Sequence, residues 1–202
     1  MKVQPEGARL ILASASVTRR TLLEAAGLRP EISPVSVDEA SLREAAQAEG
    51  ASAEAAALML AAAKAARVRA PGALVIGADQ ILVQGETWFG KAPTLEAARA
   101  QLVRLRGTTH HLATAVVAMR EGETVWQHAE SPALTMRRFS DRFLEVYLAG
   151  EGRAILGSVG CYRLEGPGIH LFERVAGDHA TILGLPLLPL LGYLRQAGVV
   201  IG

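Results

Sequence analysis

Five short stretches of this chain carry side chains that can do chemistry. Ser14-Ala15-Ser16-Val17-Thr18 runs into Arg19-Arg20, Asp38-Glu39 is a carboxylate pair, and Asp79-Gln80 follows an apolar run; Lys64 and Lys91 are isolated ammonium groups. Two adjacent guanidiniums in the first turn of a helix repel each other and the positive end of the helix dipole, so a bound anion compensates them. Phosphate suits arginine because the guanidinium fork donates two hydrogen bonds at once. The chain has no G-x-x-x-x-G-K-[ST] string, so the serine-rich loop is not a P-loop. On local pattern alone Thr18 can equally be an N-cap with the arginines on a solvated face.

The carboxylates invite a second chemistry. Leu74-Val75-Ile76-Gly77-Ala78 reads as a buried strand ending in Asp79, and the ends of buried strands are where open α/β sheets bind ligands. Asp38-Glu39 can hold a metal or a water, or can simply supply the opening charge of a helix. Lys64 taken alone reads as a cation near a helix C-terminus. The chain nevertheless uses 18 arginines against three lysines and no asparagine, and against that bias Lys64 and Lys91 stand out as places where a compact ammonium is wanted.

The elements that position these groups alternate strand and helix. Leu10 to Ala13 reads as a strand, and the helix after it carries Leu22, Leu23 and Ala26 on one face and stops at Gly27. Pro30 to Val37 reads as extended, and Ser41 to Ala70 as helical with a break near Gly50 and Ser52 as N-cap; its small residues allow close packing on a sheet. Ile81 to Val83 and Glu86 to Trp88 form a hairpin around Gly85 that delivers Gly90-Lys91. A helix capped by Thr94 ends at Gly107, and His111 to Met119 pairs with Thr124 to Glu130. His110 and His111 have no further ligand at zinc spacing and read as strand-entry residues. Ser140 to Leu148 is a capped helix closed by Gly150, Ile169 to Val175 a strand, Asp178 the start of a loop, and Leu187 to Ala197 an apolar helix.

Composition sets bounds. The 202 residues are half apolar and one-fifth charged, with a net charge of +1. That balance fits one domain of about this length and leaves no broad basic face for nucleic acid. A single cysteine, Cys161, excludes an internal disulfide; no apolar run reaches a membrane span and residues 1–7 lack a signal-peptide core, so a cytoplasmic protein is expected.

Together the motifs resemble the Maf family of nucleotide pyrophosphatases. The matches are Leu12-Ala13-Ser14-Ala15-Ser16 with Arg19-Arg20 and Leu22-Leu23, Val37-Asp38-Glu39, Ala63-Lys64-Ala65, Ile76-Gly77-Ala78-Asp79, Gly90-Lys91 and Gly184-Leu185-Pro186-Leu187. They come in the family's order and cover nearly the whole chain. The resemblance implies an α/β Maf-like (inosine-triphosphatase-like) fold over residues 1–202, a single domain with an elongated mixed sheet flanked by helices and two lobes around a nucleotide cleft, acting as a homodimer. It implies hydrolysis of a nucleoside triphosphate between the α and β phosphates with Mg²⁺ or Mn²⁺.

By that resemblance Arg19, Arg20, Lys64 and Lys91 hold the phosphates with help from Ser14 and Ser16, Asp79 accepts a proton from water or ligates the metal, and Glu39 helps hold the metal. Base choice falls to Thr18, Gln80 and Glu165. The pyrimidine-preferring branch carries Arg, Thr and Gln at these places and the 7-methyl-GTP branch Trp, Gln and Glu, so this chain sides with 7-methyl-GTP at two of the three. Thr18 departs from it, since threonine cannot stack on a cationic base. The competing classes are a nucleotide-binding regulator of septum formation with little catalysis, and a phosphatase that releases orthophosphate.

Overall fold

The computed structural model describes residues 3–202. Its strands are β1 (Leu10–Leu12), β2 (Glu31–Ile32), β3 (Leu74–Gln84), β4 (Thr87–Phe89), β5 (Thr109–Arg120), β6 (Glu123–Glu130), β7 (Ala133–Met136) and β8 (Phe172–Ala176). They form a mixed sheet in the order β2-β1-β3-β5-β7-β8, with β4 paired to β3 and β6 to β5. Helices α1 (Val17–Ala25), α2 (Glu39–Ala48), α3 (Ala53–Ala66), α4 (Leu95–Leu105), α5 (Asp141–Glu151), α6 (His179–Ile182) and α7 (Leu187–Gln196) flank it. No helix among the described residues is long and apolar enough to cross a membrane.

The chain divides into two compact units. Among the described residues the first comprises 3–80, Thr114–Glu130 and Asp178–Gly202, the second Ile81–Ala113 and Ser131–Gly177. In the first unit β1 runs parallel to β2 and to β3. The two-residue period of a strand divides β3 between two layers. Leu74, Ile76 and Ala78 join Leu10, Leu12, Val116 and Ala118 in a core closed by Leu23 of α1 and Leu190 and Leu194 of α7. The alternate residues Gly77 and Asp79 meet α3 instead.

That second contact is unusually close. A Cβ built on Gly77 would collide with the Ala61 carbonyl oxygen and reach 3.0 Å from the Ala65 methyl. Glycine on the strand and alanines on the helix therefore bring the two backbones together, as the small-residue face of that helix leads one to expect.

Helix starts follow their caps. Ser52, Thr94 and Ser140 accept hydrogen bonds from the amides of Ala55, Ala97 and Phe143. Helix α1 begins earlier than Thr18, because Ser16 supplies the cap by accepting from the Arg19 amide. Helix α5 runs past Gly150 to its C-cap at Gly152, whose φ of +54° suits glycine. The extended segment after Pro30 contributes just Glu31–Ile32 to the sheet, and residues 167–171 form a 3-10 turn before β8.

In the second unit a buried cluster forms where β5 meets the segment before β8. His110 is fully buried, its Nε2 lies 2.7 Å from the Tyr162 hydroxyl, and Phe172 packs on both rings; Nδ1 has no hydrogen-bond partner. Burial, with a smaller contribution from His111, pushes the His110 pKa down from 6.5 to about 4. The folded protein thus keeps this ring neutral while the unfolded chain protonates it near 6.5, so stability is complete above about pH 6.5 and falls as the pH drops toward 4. The loss reaches about 3 kcal/mol. Thermal unfolding across this range should show that slope in the wild type and a flatter one in His110→Gln. Cys161 is buried beside this cluster, and burial raises its thiol pKa to about 11, so it behaves as an inert packing residue.

Candidate active site

The chemistry-bearing residues of the first unit gather where β1 ends, along β3 and on α3. Lys64, in the last turn of α3, places its Nζ 2.5 Å from Asp79 Oδ1 and 2.7 Å from Glu39 Oε1. Lys64 and Asp79 are buried, and Glu39 opens α2 at the rim with its side chain 44% exposed. Its neighbour Asp38 serves differently: it is the N-cap of α2, accepting from the Ser41 amide and hydroxyl, which holds its carboxyl below the usual range. The carboxylate pair of the sequence thus splits into one structural cap and one site residue.

Asp79 lies in the middle of an eleven-residue strand, not at its end. The strand continues because the polar side chain of Gln80 has partners on the opposite face of the sheet. Its Nε2 donates to Thr114 Oγ1 at 2.8 Å and to the carbonyls of Ile182 and Thr181 at 3.0 and 3.3 Å.

Arg19 is buried, and its Nε donates to the Gly184 carbonyl at 2.7 Å while Nη1 reaches Ser14 Oγ at 3.4 Å. Burial lowers the pKa of this guanidinium, and the charges of Asp79 and Glu39 oppose that shift. Ser14 Oγ also accepts the amide of Ser16, so the two serines shape the loop and cap the helix. Arg20 has a different setting: it pairs with Glu24 at 2.7 Å on the exposed face of α1, the solvated arrangement open to it from sequence. Thr18 is half-buried in the first turn.

Two expected site residues belong to the second unit. Lys91 is exposed and forms an isolated antiparallel bridge with Val159. Glu165 is exposed in the turn before residues 167–171, next to Arg163, which is held by a two-pronged contact with the buried Glu151 at 2.8 and 3.1 Å.

The acid pair has the donor chemistry of a magnesium or manganese site. Asp79 Oδ1 and Glu39 Oε1 converge on one cation, the Lys64 ammonium, and both are hard anionic oxygens. Among the described residues no group of three or more His, Cys, Asp or Glu forms a metal cage. A site of two carboxylates completed by water and phosphate oxygens is the arrangement Mg²⁺ ordinarily takes with nucleotides, and these residues fit it.

Sequence comparisons show the family to which the chain belongs. The family model described as Maf-like protein matches residues 9–197. The chain is 57% identical over 190 residues to a protein of Granulibacter bethesdensis named nucleoside triphosphate pyrophosphatase, covering 93% of this chain and 96% of that one. It is 48% identical over 190 residues to a protein of the same name from Paramagnetospirillum magneticum, covering 93% and 98%. A 7-methyl-GTP pyrophosphatase of Mesorhizobium japonicum is 46% identical over 196 residues, covering 96% and 98%. This chain belongs to the Maf family.

The residues that sequence reasoning left without a role are Thr181 and Gly184. Gly184 carried a signal, since Gly184-Leu185-Pro186-Leu187 is one of the family motifs, but its tie to Arg19 spans 165 positions and is visible only in the fold.

Proposed function

We propose that this chain hydrolyses nucleoside triphosphates between the α and β phosphates, giving the monophosphate and pyrophosphate, and that it works as a cytoplasmic homodimer. The observation that supports this most is the Asp79–Lys64–Glu39 cluster set beside the buried Arg19 and the Ser14 loop. Water attacks the α phosphorus, the bond to the bridging oxygen breaks, and pyrophosphate leaves while the water proton passes to Asp79. Arg19 and Ser14 hold phosphate oxygens, Arg20 adds charge once it turns from Glu24, Lys64 adds another, and by the family resemblance Lys91 is the fourth cation for a triphosphate of comparable negative charge. Fixed cations stabilise phosphoryl-transfer charge without reorganising during the reaction. Glu39 and Asp79 would hold Mg²⁺ or Mn²⁺, which when bound supplies further charge neutralisation. The same two oxygens hold Lys64, so ammonium and metal compete for them.

For the base we favour 7-methyl-GTP, a choice that Glu165 carries by the family resemblance, since Thr18 has no ring to stack and the Gln80 amide is committed to Thr114, Thr181 and Ile182. A carboxylate accepts from the guanine N1–H and N2–H donors, and methylation at N7 strengthens N1–H as a donor. The relatives carry both names, the general one at 57% identity and 7-methyl-GTP pyrophosphatase at 46%. Pyrophosphate release from GTP, 7-methyl-GTP, UTP, dTTP and CTP with Mg²⁺ or Mn²⁺ tests the choice. The expected result is a preference for 7-methyl-GTP; a preference for the pyrimidines would overturn the assignment of Glu165.

A further inference from the structure

We propose that the turn from Asp178 to Leu185 is a positioning device for Arg19, with Gly184 and Thr181 as its working residues. The inference rests on the reading above, in which Arg19 holds phosphate. Arg19 is a buried guanidinium with a long flexible stem, and left alone it has several rotamers from which to choose. Its orientation is set by one strong contact, the 2.7 Å hydrogen bond from Nε to the Gly184 carbonyl. With Nε spent on that carbonyl and Nη1 leaning on Ser14 Oγ at 3.4 Å, the rest of the fork lies in the field of Asp79 and Glu39, beside the loop that meets the anion. An arginine held this way loses little further freedom when phosphate arrives.

The turn that presents this carbonyl is itself tied to β6, to β3 and internally. Asp178 Oδ1 accepts the Thr181 amide at 2.9 Å, and the buried Thr181 hydroxyl donates to Glu130 Oε2 at 3.0 Å, tying the turn to β6. Gln80 on β3 donates to the carbonyls of Thr181 and Ile182. The Gly184 amide then bonds the Thr181 carbonyl at 3.0 Å, and the Leu185 amide bonds Ala180 at 3.0 Å. Position 184 requires glycine for two separate reasons. Its φ is +105°, and a Cβ there would come to 3.3 Å from Arg19 Nε and 3.5 Å from Nη2. A methyl group would press on the guanidinium that the carbonyl orients.

A positioning role and a merely structural one separate in a double-mutant cycle on Gly184→Ala and Arg19→Met, read by the affinity of the folded full-length protein for inorganic tripolyphosphate. This ligand has no base and needs no turnover, so the readout is phosphate binding alone. The expected result is that each single change weakens binding by roughly 10-fold or more, and that Gly184→Ala adds almost nothing once Arg19 is methionine. Independent, multiplying effects would overturn the inference while leaving the phosphate role of Arg19 intact. Unchanged binding in Arg19→Met would overturn that role and the inference with it. Should Gly184→Ala not fold, the same cycle is run with Thr181→Val, which removes the hydroxyl on Glu130; Thr181→Ser, which keeps it, should restore binding, and failure of that rescue would overturn the assignment.

Discussion

Asp79→Asn should lower kcat by about 10²–10⁴-fold, the usual contribution of a positioned general base, while nucleotide affinity stays measurable. The substitution is isosteric, so strand β3 and its contacts with α3 persist. The buried Lys64 keeps Glu39 as a charged partner at 2.7 Å, which prevents the cost of a buried unpaired ammonium. The amide cannot take a proton from water at neutral pH, so turnover falls while Arg19, Arg20 and Lys64 keep nucleotide binding measurable. Steady-state kinetics alongside calorimetric binding of a nonhydrolysable nucleotide separates the two. Near-normal kcat in Asp79→Asn would remove Asp79 from the role of proton acceptor.

Gly77→Ala should be the costliest single methyl group in the first unit. The added Cβ meets the Ala61 carbonyl of α3, a backbone atom that cannot swing aside, with the Ala65 methyl at 3.0 Å as well. Relief requires α3 to lift from β3, and α3 carries Lys64, whose ammonium must reach Asp79 two residues further along that strand. Overpacking of this kind costs about 1–3 kcal/mol, and each kcal/mol lowers Tm by about 2–4 °C in a chain of this size. Activity should fall with stability, because the same displacement opens the Lys64–Asp79 pair. Gly150→Ala is the matched control: it lies inside α5, a Cβ there meets nothing within 4 Å, and helix propensity predicts a gain of about 0.5–1 kcal/mol. Differential scanning calorimetry of the two variants should show opposite shifts, and an unchanged Tm in Gly77→Ala would contradict the close packing of α3 on β3.

What sequence reveals about this fold follows the range of the forces involved. Ser52, Thr94 and Ser140 are recognisable as helix caps because a cap bonds an amide three residues away. The alanine-rich face of α3 likewise announces a close helix-to-sheet contact, and Gly77 is where that contact falls. Choices between neighbouring caps are harder to make: Ser16 and Thr18 are both credible, and the fold uses Ser16.

Partners far apart in the chain are harder still. Lys64 looks like a helix-terminal cation until the packing of Gly77 on Ala61 sets it between Asp79 and Glu39. Gln80 looks like the polar end of a strand until the carbonyls of Thr181 and Ile182, about a hundred residues later, give its amide a reason to be there. The four-residue strand β7 (Ala133–Met136) is too short to carry a period of its own and is defined by pairing with β5 and β8. The candidate site was visible as a set of residue types; its internal wiring, above all the hold of Gly184 on Arg19, is a property of the fold.

The most direct test of the central claim is the identity of the products. Purified protein is incubated with 7-methyl-GTP or GTP and Mg²⁺ or Mn²⁺ in ¹⁸O-enriched water, and the phosphorus products are resolved by mass. Attack at the α phosphorus predicts equal amounts of labelled nucleoside monophosphate and unlabelled pyrophosphate. Orthophosphate with nucleoside diphosphate, or nucleotide binding without turnover, would contradict it and favour a phosphatase or a regulatory binder respectively.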